Sequence, residues 1–146
     1  MSDSVNRRTF LGQTAAAATA AGITAPAILS AAHKAPSEKV TIGIMGLQRG
    51  LALAKTFGAL DGVEIKYVCD TDDTRAGKAA QTVEKATKKK PQAIGDFRKI
   101  LDDKDVDALI VAAPNHWHAP GTILGCSAGK HVYVEKPCCH NPKEGE

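Results

Sequence analysis

The clearest pattern of hydrophobic and polar positions along the chain is that of a strand, a turn, a helix and a second strand. Residues 40–45 form an apolar, β-branched run that is typical of a strand buried on both faces. Leu53, Phe57 and Leu60 then recur at helical spacing, and a second strand follows at 63–69. The pattern predicts the first half of a dinucleotide-binding βαβ unit.

Strand and helix patterns continue to alternate through the rest of the chain. The further predicted elements are a helix at 74–88, a short strand at 92–95, a helix capped by Asp96, a strand at 106–113, a helix that ends near Gly129 and a strand at 131–135. Such alternation with short connections predicts an α/β fold with a Rossmann-type, doubly wound parallel sheet. The ligand of such a sheet lies at the carboxyl ends of its strands.

A glycine turn, Gly46-Leu47-Gln48-Arg49-Gly50, joins the first strand to the first helix. Glycines let the backbone approach a pyrophosphate, and the helix that follows offers N–H groups and a partial positive charge. Asp70, at the end of the second strand, is placed to accept hydrogen bonds from ribose hydroxyls. The strict G-x-G-x-x-G pattern is absent, because Gln48 and Leu51 replace its second and third glycines. The alternative is a tight turn that binds nothing.

The first 35 residues differ in composition from the rest and are predicted to be a signal peptide and linker, ahead of a domain at 36–146. A twin arginine, Arg7-Arg8, precedes an uncharged, alanine-rich stretch at 12–32 that ends in small residues. This pattern predicts export by the twin-arginine machinery and a periplasmic or extracytoplasmic location. The alternative is an alanine-rich disordered leader.

Composition limits the remaining possibilities. The chain has 146 residues, a net charge of +3 and 43% hydrophobic residues, which fits one globular domain and gives no argument for nucleic acid binding. The four cysteines, which include the adjacent pair Cys138 and Cys139, are expected to be free thiols. His116, His118 and His140 with that pair match no zinc spacing, so no metal site is predicted.

Two further motifs resemble a known family. Ala113-Pro114-Asn115 is followed three residues later by His118, and Glu135-Lys136-Pro137 ends the fifth strand. With these motifs, residues 39–146 resemble the glucose-fructose oxidoreductase, inositol dehydrogenase and rhizopine catabolism group (Gfo/Idh/MocA) of NAD(P)-dependent oxidoreductases. The resemblance implies a dinucleotide-binding domain followed by a second α/β domain that holds a sugar and mediates homo-oligomers. The first domain is then incomplete at its C-terminus, and its fifth strand lies near an exposed sheet edge.

The resemblance also implies roles for individual residues. Lys136 is the expected catalytic residue, reaching the substrate hydroxyl and the nicotinamide, and Pro137 is expected to follow a cis peptide bond. His118 is expected to order the loop beside the cofactor, and Trp117 to be a core or domain-interface residue. The general base is expected from the second domain. The expected cofactor-binding residues are Gly46, Leu47, Gln48, Arg49, Gly50, Asp70, Ala113, Pro114, Asn115, His118, Glu135, Lys136 and Pro137.

Three functions follow, in order of preference. The first is hydride transfer between a nicotinamide cofactor and a sugar, polyol or cyclic alcohol. The second is an NAD-dependent glycosidase that oxidises the sugar transiently and eliminates the aglycone, and the third is a non-catalytic nucleotide-binding module, which the presence of Lys136 disfavours. NAD is preferred to NADP because Asp70 repels a 2′-phosphate, although Arg75 partly offsets that charge. The 146 residues alone are expected to bind nucleotide without turnover.

Overall fold

The computed structural model describes residues 39–146. The predicted signal peptide and linker at 1–35 lie outside these residues. Within the described part of the chain, no helix combines the length and the apolar character that crossing a membrane requires.

The described residues form five strands and four α-helices that alternate along the chain, with two short 3₁₀ turns, at Asn115–Trp117 and Pro142–Glu144. The elements are β1 (Val40–Met45), α1 (Gly50–Gly58), β2 (Val63–Cys69), α2 (Asp73–Thr87), β3 (Gln92–Ile94), α3 (Arg98–Asp102), β4 (Ala108–Val111), α4 (His118–Ser127) and β5 (His131–Val134). All the strands pair in parallel, in the order β3-β2-β1-β4-β5. The predicted doubly wound parallel sheet is confirmed.

The sheet order places the reversal of the winding at β1. The chain first moves outward from β1 to β3 and then returns to the other side of β1 to form β4 and β5. Ile44, in the middle of β1, pairs with Val68 on one side and with Ile110 on the other. The crevice between the carboxyl ends of β1 and β4 is therefore the position where doubly wound sheets bind their ligands.

Apolar side chains cover both faces of the sheet, as expected for strands buried between helices. One core cluster packs α1 and the small-residue stripe of α2 onto the sheet, and the other packs Phe97 and Ile100 onto its opposite face. This stripe consists of the four buried side chains of α2, namely Ala76, Ala79, Ala80 and Val83. Close packing of α2 on the sheet brings its first turn to the edge that holds the crevice.

The structure corrects three sequence predictions. Helix α1 ends at Gly58, so Leu60 lies beyond it and is exposed. Strand β4 spans Ala108–Val111, and the residues predicted on either side of it are loop. Helix α3 has Phe97 at its N-cap, while the side chain of Asp96 accepts a hydrogen bond from the Arg98 N–H at 3.0 Å. These differences lie at element ends, where local hydrogen bonds in turns compete with the regular pattern.

Candidate functional site

The carboxyl edge of the sheet holds a cavity of about 830 Å³. The loops after β1, β2, β3 and β4 all contribute to its wall. Its lining residues are Met45, Gly46, Leu47, Gln48, Arg49, Cys69, Asp70, Thr71, Arg75, Gly95, Asp96, Phe97, Arg98, Ala112, Ala113, Pro114, His116 and Trp117. We refer to it as the larger cavity.

A smaller cavity of about 370 Å³ adjoins it beside β5. The residues that line it are Arg49, Ala112, Ala113, Asn115, His118, Glu135 and Lys136. Arg49, Ala112 and Ala113 line both cavities and mark the boundary between them. The two cavities together bring the glycine turn, Asp70 and the Glu135-Lys136 segment to one edge of the sheet.

Gly46 allows the chain to turn sharply as it leaves β1. Its φ of +87° lies in the left-handed region, and a Cβ there would stand 2.5 Å from the backbone N and Cα of Ala113. The Gly46 N–H also donates to the carbonyl of Cys69 at 2.9 Å. Only glycine can adopt this left-handed conformation and also leave room for the Ala113 backbone. The turn therefore packs closely against the end of β4, where the two cavities meet.

The N-terminus of α1 is open toward the larger cavity. Within residues 39–146, no side chain caps this helix, and its first turn holds no acidic residue. The first turn of a helix has N–H groups without intrahelical partners and carries a partial positive charge. With Gly46 ahead of it, this end of α1 fits the pyrophosphate of a dinucleotide.

Asp70 connects the glycine turn with the start of α2. One carboxylate oxygen accepts a hydrogen bond from the Leu47 N–H at 2.9 Å, and the other accepts one from the Asp72 N–H at 3.1 Å. The Arg75 guanidinium donates to both oxygens, at 3.1 and 3.2 Å. Burial by itself raises the pKa of Asp70, but these donors outweigh burial and bring the pKa below its usual value.

Arg75 is held by two carboxylates at this end of the larger cavity. Besides Asp70, its guanidinium lies 3.6 Å from a carboxylate oxygen of Asp72. A second ion pair, Arg98 with Asp96 at 3.1 Å, lies in the wall formed by the loop after β3. Three carboxylates therefore accompany two guanidinium groups here.

His118 joins the end of β4 to the segment that carries Lys136. Its side chain is buried, with 2% exposed, and its Nδ1 and Nε2 lie 2.5 Å from the Pro137 carbonyl and 2.8 Å from the Ala113 carbonyl. A neutral imidazole donates one of these hydrogen bonds and the charged form donates both. The expected ordering role of His118 agrees with these contacts.

The Lys136 segment is attached to both neighbouring parts of the site. The Glu135 N–H continues the ladder by donating to the carbonyl of Val111 at 2.9 Å, and the Glu135 carboxylate lies 3.4 Å from Nε of Arg49. The peptide bond between Lys136 and Pro137 is cis, as the resemblance implied. Lys136 itself is exposed at the smaller cavity.

Three of the predicted site residues do not present a side chain to either cavity. Gly50 is buried at the start of α1, where a Cβ would meet a methyl group of Ile44 at 2.9 Å, so this glycine lets the helix approach β1. The Pro137 side chain lines neither cavity, and its carbonyl contacts His118 instead. The side chain of Leu47 is buried in the core, so only its backbone faces the site.

Two parts of the cavity wall, Gly95 to Arg98 and Trp117, were not predicted from the sequence. Gly95 to Arg98 forms part of the larger cavity, and the end of the short strand β3 was the signal for it, because all parallel strands end at the same edge. Trp117, expected in the core or at a domain interface, is 37% exposed in the cavity wall, with its ring 5.9 Å from that of Phe97. The four cysteines are free, and no metal-holding group of three or more His, Cys, Asp or Glu side chains occurs in the described part of the chain.

Comparison with known proteins identifies the family of the chain. Residues 40–146 match the GFO_IDH_MocA family, described as an oxidoreductase family with an NAD-binding Rossmann fold. The chain belongs to this family. It carries the family's NAD(P)-binding domain, as the sequence predicted.

Three relatives show how far the similarity extends. A glycosyl hydrolase family 109 protein of Shewanella pealeana is 35% identical over 91% of this chain and 34% of its own length. An alpha-N-acetylgalactosaminidase of Shewanella oneidensis is 34% identical over 68% of this chain and 23% of its own. The structure of levoglucosan dehydrogenase with NADH superimposes with a TM-score of 0.65 and 26% identity, over 73% of this chain and 30% of that one. The chain spans about a third of the length of the first of these curated relatives.

Proposed function

We propose that the two cavities bind NAD, with the adenosine and pyrophosphate in the larger cavity and the nicotinamide at the smaller one beside Lys136. The observation that carries this proposal is the uncapped N-terminus of α1 behind a glycine turn that only glycine can form. The turn faces Asp70 on one side and the Lys136 segment on the other. This order of groups matches the order of adenosine, pyrophosphate and nicotinamide in the cofactor.

The preference for NAD over NADP follows from the charges around the adenosine end. Asp70, Asp72 and Asp96 contribute three carboxylates, and both nearby guanidinium groups are already paired with them. A 2′-phosphate would have to draw Arg75 away from two carboxylates and would meet their repulsion. We expect NADPH to bind about tenfold more weakly than NADH, which corresponds to about 1.4 kcal/mol.

In the proposed reaction, Lys136 is the catalytic residue of this domain and the substrate is a sugar, polyol or cyclic alcohol. A bound nicotinamide accepts or delivers the hydride. The Lys136 ammonium donates a hydrogen bond to the oxygen of the reacting carbon and stabilises the negative charge that develops there. His118 and Glu135 fix the backbone on either side of Lys136, so that the ammonium is presented at the smaller cavity.

A second function is favoured by the curated relatives, which carry glycosidase names. The same cofactor site could serve a glycosidase that oxidises its sugar transiently, eliminates the aglycone and reduces the ring again. The two reactions differ in whether NADH accumulates. This is measured in a protein that contains both this domain and a substrate domain. Release of p-nitrophenol from its α-N-acetylgalactosaminide without net NADH formation supports the glycosidase, and NADH that accumulates with sugar oxidation supports the dehydrogenase.

The location and assembly of the whole protein are also proposals. The twin arginine at Arg7-Arg8 supports export by the twin-arginine machinery to the periplasm or another extracytoplasmic site. That route carries folded proteins, so NAD can be bound before export. The family resemblance supports a homo-oligomer for the whole protein.

Binding is tested with the reporter that the chain itself provides. Trp117 is the chain's only tryptophan and lies in the wall of the larger cavity, and its emission overlaps the absorption of reduced nicotinamide. NADH added to the full chain should therefore quench Trp117 emission saturably and produce nicotinamide emission on tryptophan excitation. NADPH should do so only at about tenfold higher concentration.

The control is Trp117→Phe, which should abolish the energy transfer, while calorimetry still detects NADH binding. ADP should displace NADH and reverse the quenching. If the folded chain, checked by circular dichroism, gives no saturable signal and no heat with NADH, the proposed function is wrong.

A further inference from the structure

Lys136 lies between two residues that are each attached to a different part of the site. Pro137 is attached through its carbonyl to His118, which also contacts the carbonyl of Ala113. Glu135 is attached through its carboxylate to Arg49 of the glycine turn. The position of Lys136 therefore depends on both attachments.

The two attachments differ in their exposure to a ligand. His118 is almost completely buried and has a backbone carbonyl beside each ring nitrogen, so its contacts belong to the folded core. The side chain of Arg49 is 62% exposed, although the Glu135 carboxyl side chain that it meets is only 13% exposed. Of these two attachments, a ligand in the larger cavity can act directly only on the one through Arg49.

The geometry of the guanidinium allows Arg49 to contact both groups at once. Its ion pair with Glu135 is made through Nε, and the N–H donors of its two terminal nitrogens form the edge that suits a phosphate. Arg49 lines both cavities and directly precedes α1, where the pyrophosphate is proposed to bind. A phosphate on the terminal nitrogens would fix the guanidinium plane and, through Nε, the Glu135 carboxylate.

We propose that Arg49 is a positioning residue that transmits pyrophosphate binding at the glycine turn to Lys136 through its ion pair with Glu135. This inference rests on the proposed function and adds a coupling between the two halves of the site. In the free protein the backbone on either side of Lys136 is held by Val111 and His118, while the exposed Arg49 leaves its ion pair with the Glu135 carboxylate open to a ligand. A bound pyrophosphate orders Arg49 and with it Glu135, so that the lysine is in place when the nicotinamide arrives.

The coupling is tested with ADP, which contains the adenosine and the pyrophosphate but no group that can reach Lys136. The lysines of the full chain are reductively methylated with ¹³C, and the Lys136 signal is assigned by its loss in Lys136→Arg. In the wild-type chain, saturating ADP should shift the Lys136 signal. In Glu135→Gln, calorimetry should still detect ADP binding, and at saturating ADP the shift should disappear.

Arg98→Gln is the matched control. Arg98 is also an arginine of the larger cavity wall, but its partner Asp96 is two residues away and has no connection to Lys136. This variant should keep the Lys136 shift on addition of ADP. The melting temperature of Glu135→Gln should stay close to that of the wild type, because a partly exposed ion pair contributes little to stability.

A Lys136 shift that persists in Glu135→Gln overturns the coupling while leaving the proposed function intact. A wild-type chain that binds ADP without any Lys136 shift overturns it in the same way. If ADP does not bind to the folded wild-type chain, the proposed function itself fails, and the coupling fails with it.

Discussion

The first turns of α1 and α2 lie at the same edge of the sheet and are built in opposite ways. Helix α2 is preceded by Asp72 in an extended conformation, whose side chain accepts the Arg75 N–H at 3.1 Å, and Asp73 follows in its first turn. Helix α1 is preceded by Arg49 in a helical conformation, and among residues 39–146 no side chain caps it. In α2 a side chain accepts a hydrogen bond from a first-turn N–H group, whereas no side chain of the described residues does so in α1.

The two helices that begin beside the switch point of the sheet both lack a side-chain cap from the described part of the chain. Helix α1 leaves β1 and α4 leaves β4, the two strands on either side of the switch point, and the described residues supply no side-chain cap to either helix. Helix α2 leaves β2, which is farther from that point, and has a side-chain N-cap in Asp72. The short helix α3, after the edge strand β3, has no side-chain cap within residues 39–146 either, so a missing cap does not by itself mark a binding site. A capping residue stabilises a helix by about 1 kcal/mol, and α1 is the uncapped helix that also follows the glycine turn.

The largest expected effect comes from closing the turn that leads into α1. Gly46→Ala places a methyl group at a residue with a left-handed conformation and against the backbone of Ala113. We expect the unfolding free energy to fall by at least about 3 kcal/mol and NADH binding to be lost. Urea denaturation measures the loss. Gly77→Ala, inside α2 with open space around it, should instead stabilise the chain by roughly 0.5–1 kcal/mol. If both substitutions changed stability equally, the turn before α1 would have no special need for glycine.

A smaller effect is expected from the residue that joins the two helix starts. Asp70→Asn removes the charge that holds Arg75 and keeps one acceptor for the Leu47 N–H, so we expect a loss of about 2 kcal/mol near neutral pH. Because the pKa of Asp70 is lowered in the folded chain, its stabilising effect is present above the unfolded pKa of about 3.9 and is lost as the pH falls through the folded value. Denaturation curves of the two proteins should therefore converge below about pH 4. If the difference in unfolding free energy between the wild type and Asp70→Asn stayed constant down to acidic pH, the charge of Asp70 would not be the source of its stabilising effect.

The smallest effect comes from giving α1 the acidic first turn that α2 already has. Ala52→Glu should stabilise the chain by about 0.5 kcal/mol, because a carboxylate in the first turn interacts favourably with the helix dipole. It should weaken NADH binding about threefold, because the same carboxylate repels the pyrophosphate. Ala86→Glu, the same exchange at the far end of α2, should be slightly destabilising and leave NADH binding unchanged. Thermal unfolding and the Trp117 signal measure both quantities. If Ala52→Glu raised both the stability and the NADH affinity, the expected trade-off between capping and binding at α1 would be wrong.

The fold could be predicted because its signals are local. Strand β2 and the small-residue stripe of α2 each follow from the spacing of apolar residues. The parallel order follows from alternation and chain handedness. The glycine turn and Asp70 could be placed for the same reason, since strand ends share one edge.

The pairing of side chains could not be predicted in the same way. Glu135, just after β5, meets Arg49, after β1, only because β4 alone separates these two strands in the sheet, and spacing in the sequence carries no information about that distance. Trp117 was expected in the core or at a domain interface; it does not lie in the core but in a turn at the sheet edge, where its ring lines a cavity. Leu60 continued the helical spacing beyond the point where turn hydrogen bonds end α1.

The position of Asp70 limits how the cofactor preference of this domain could be re-engineered. The usual exchange toward NADP replaces the acidic residue at the end of β2, but here that residue also supports the glycine turn and the first turn of α2. Such a replacement would remove a structural support along with the proposed preference for NAD. A designer would do better to keep Asp70, and also Asp72, which caps α2, and to change Asp96, whose half-exposed carboxylate pairs with Arg98.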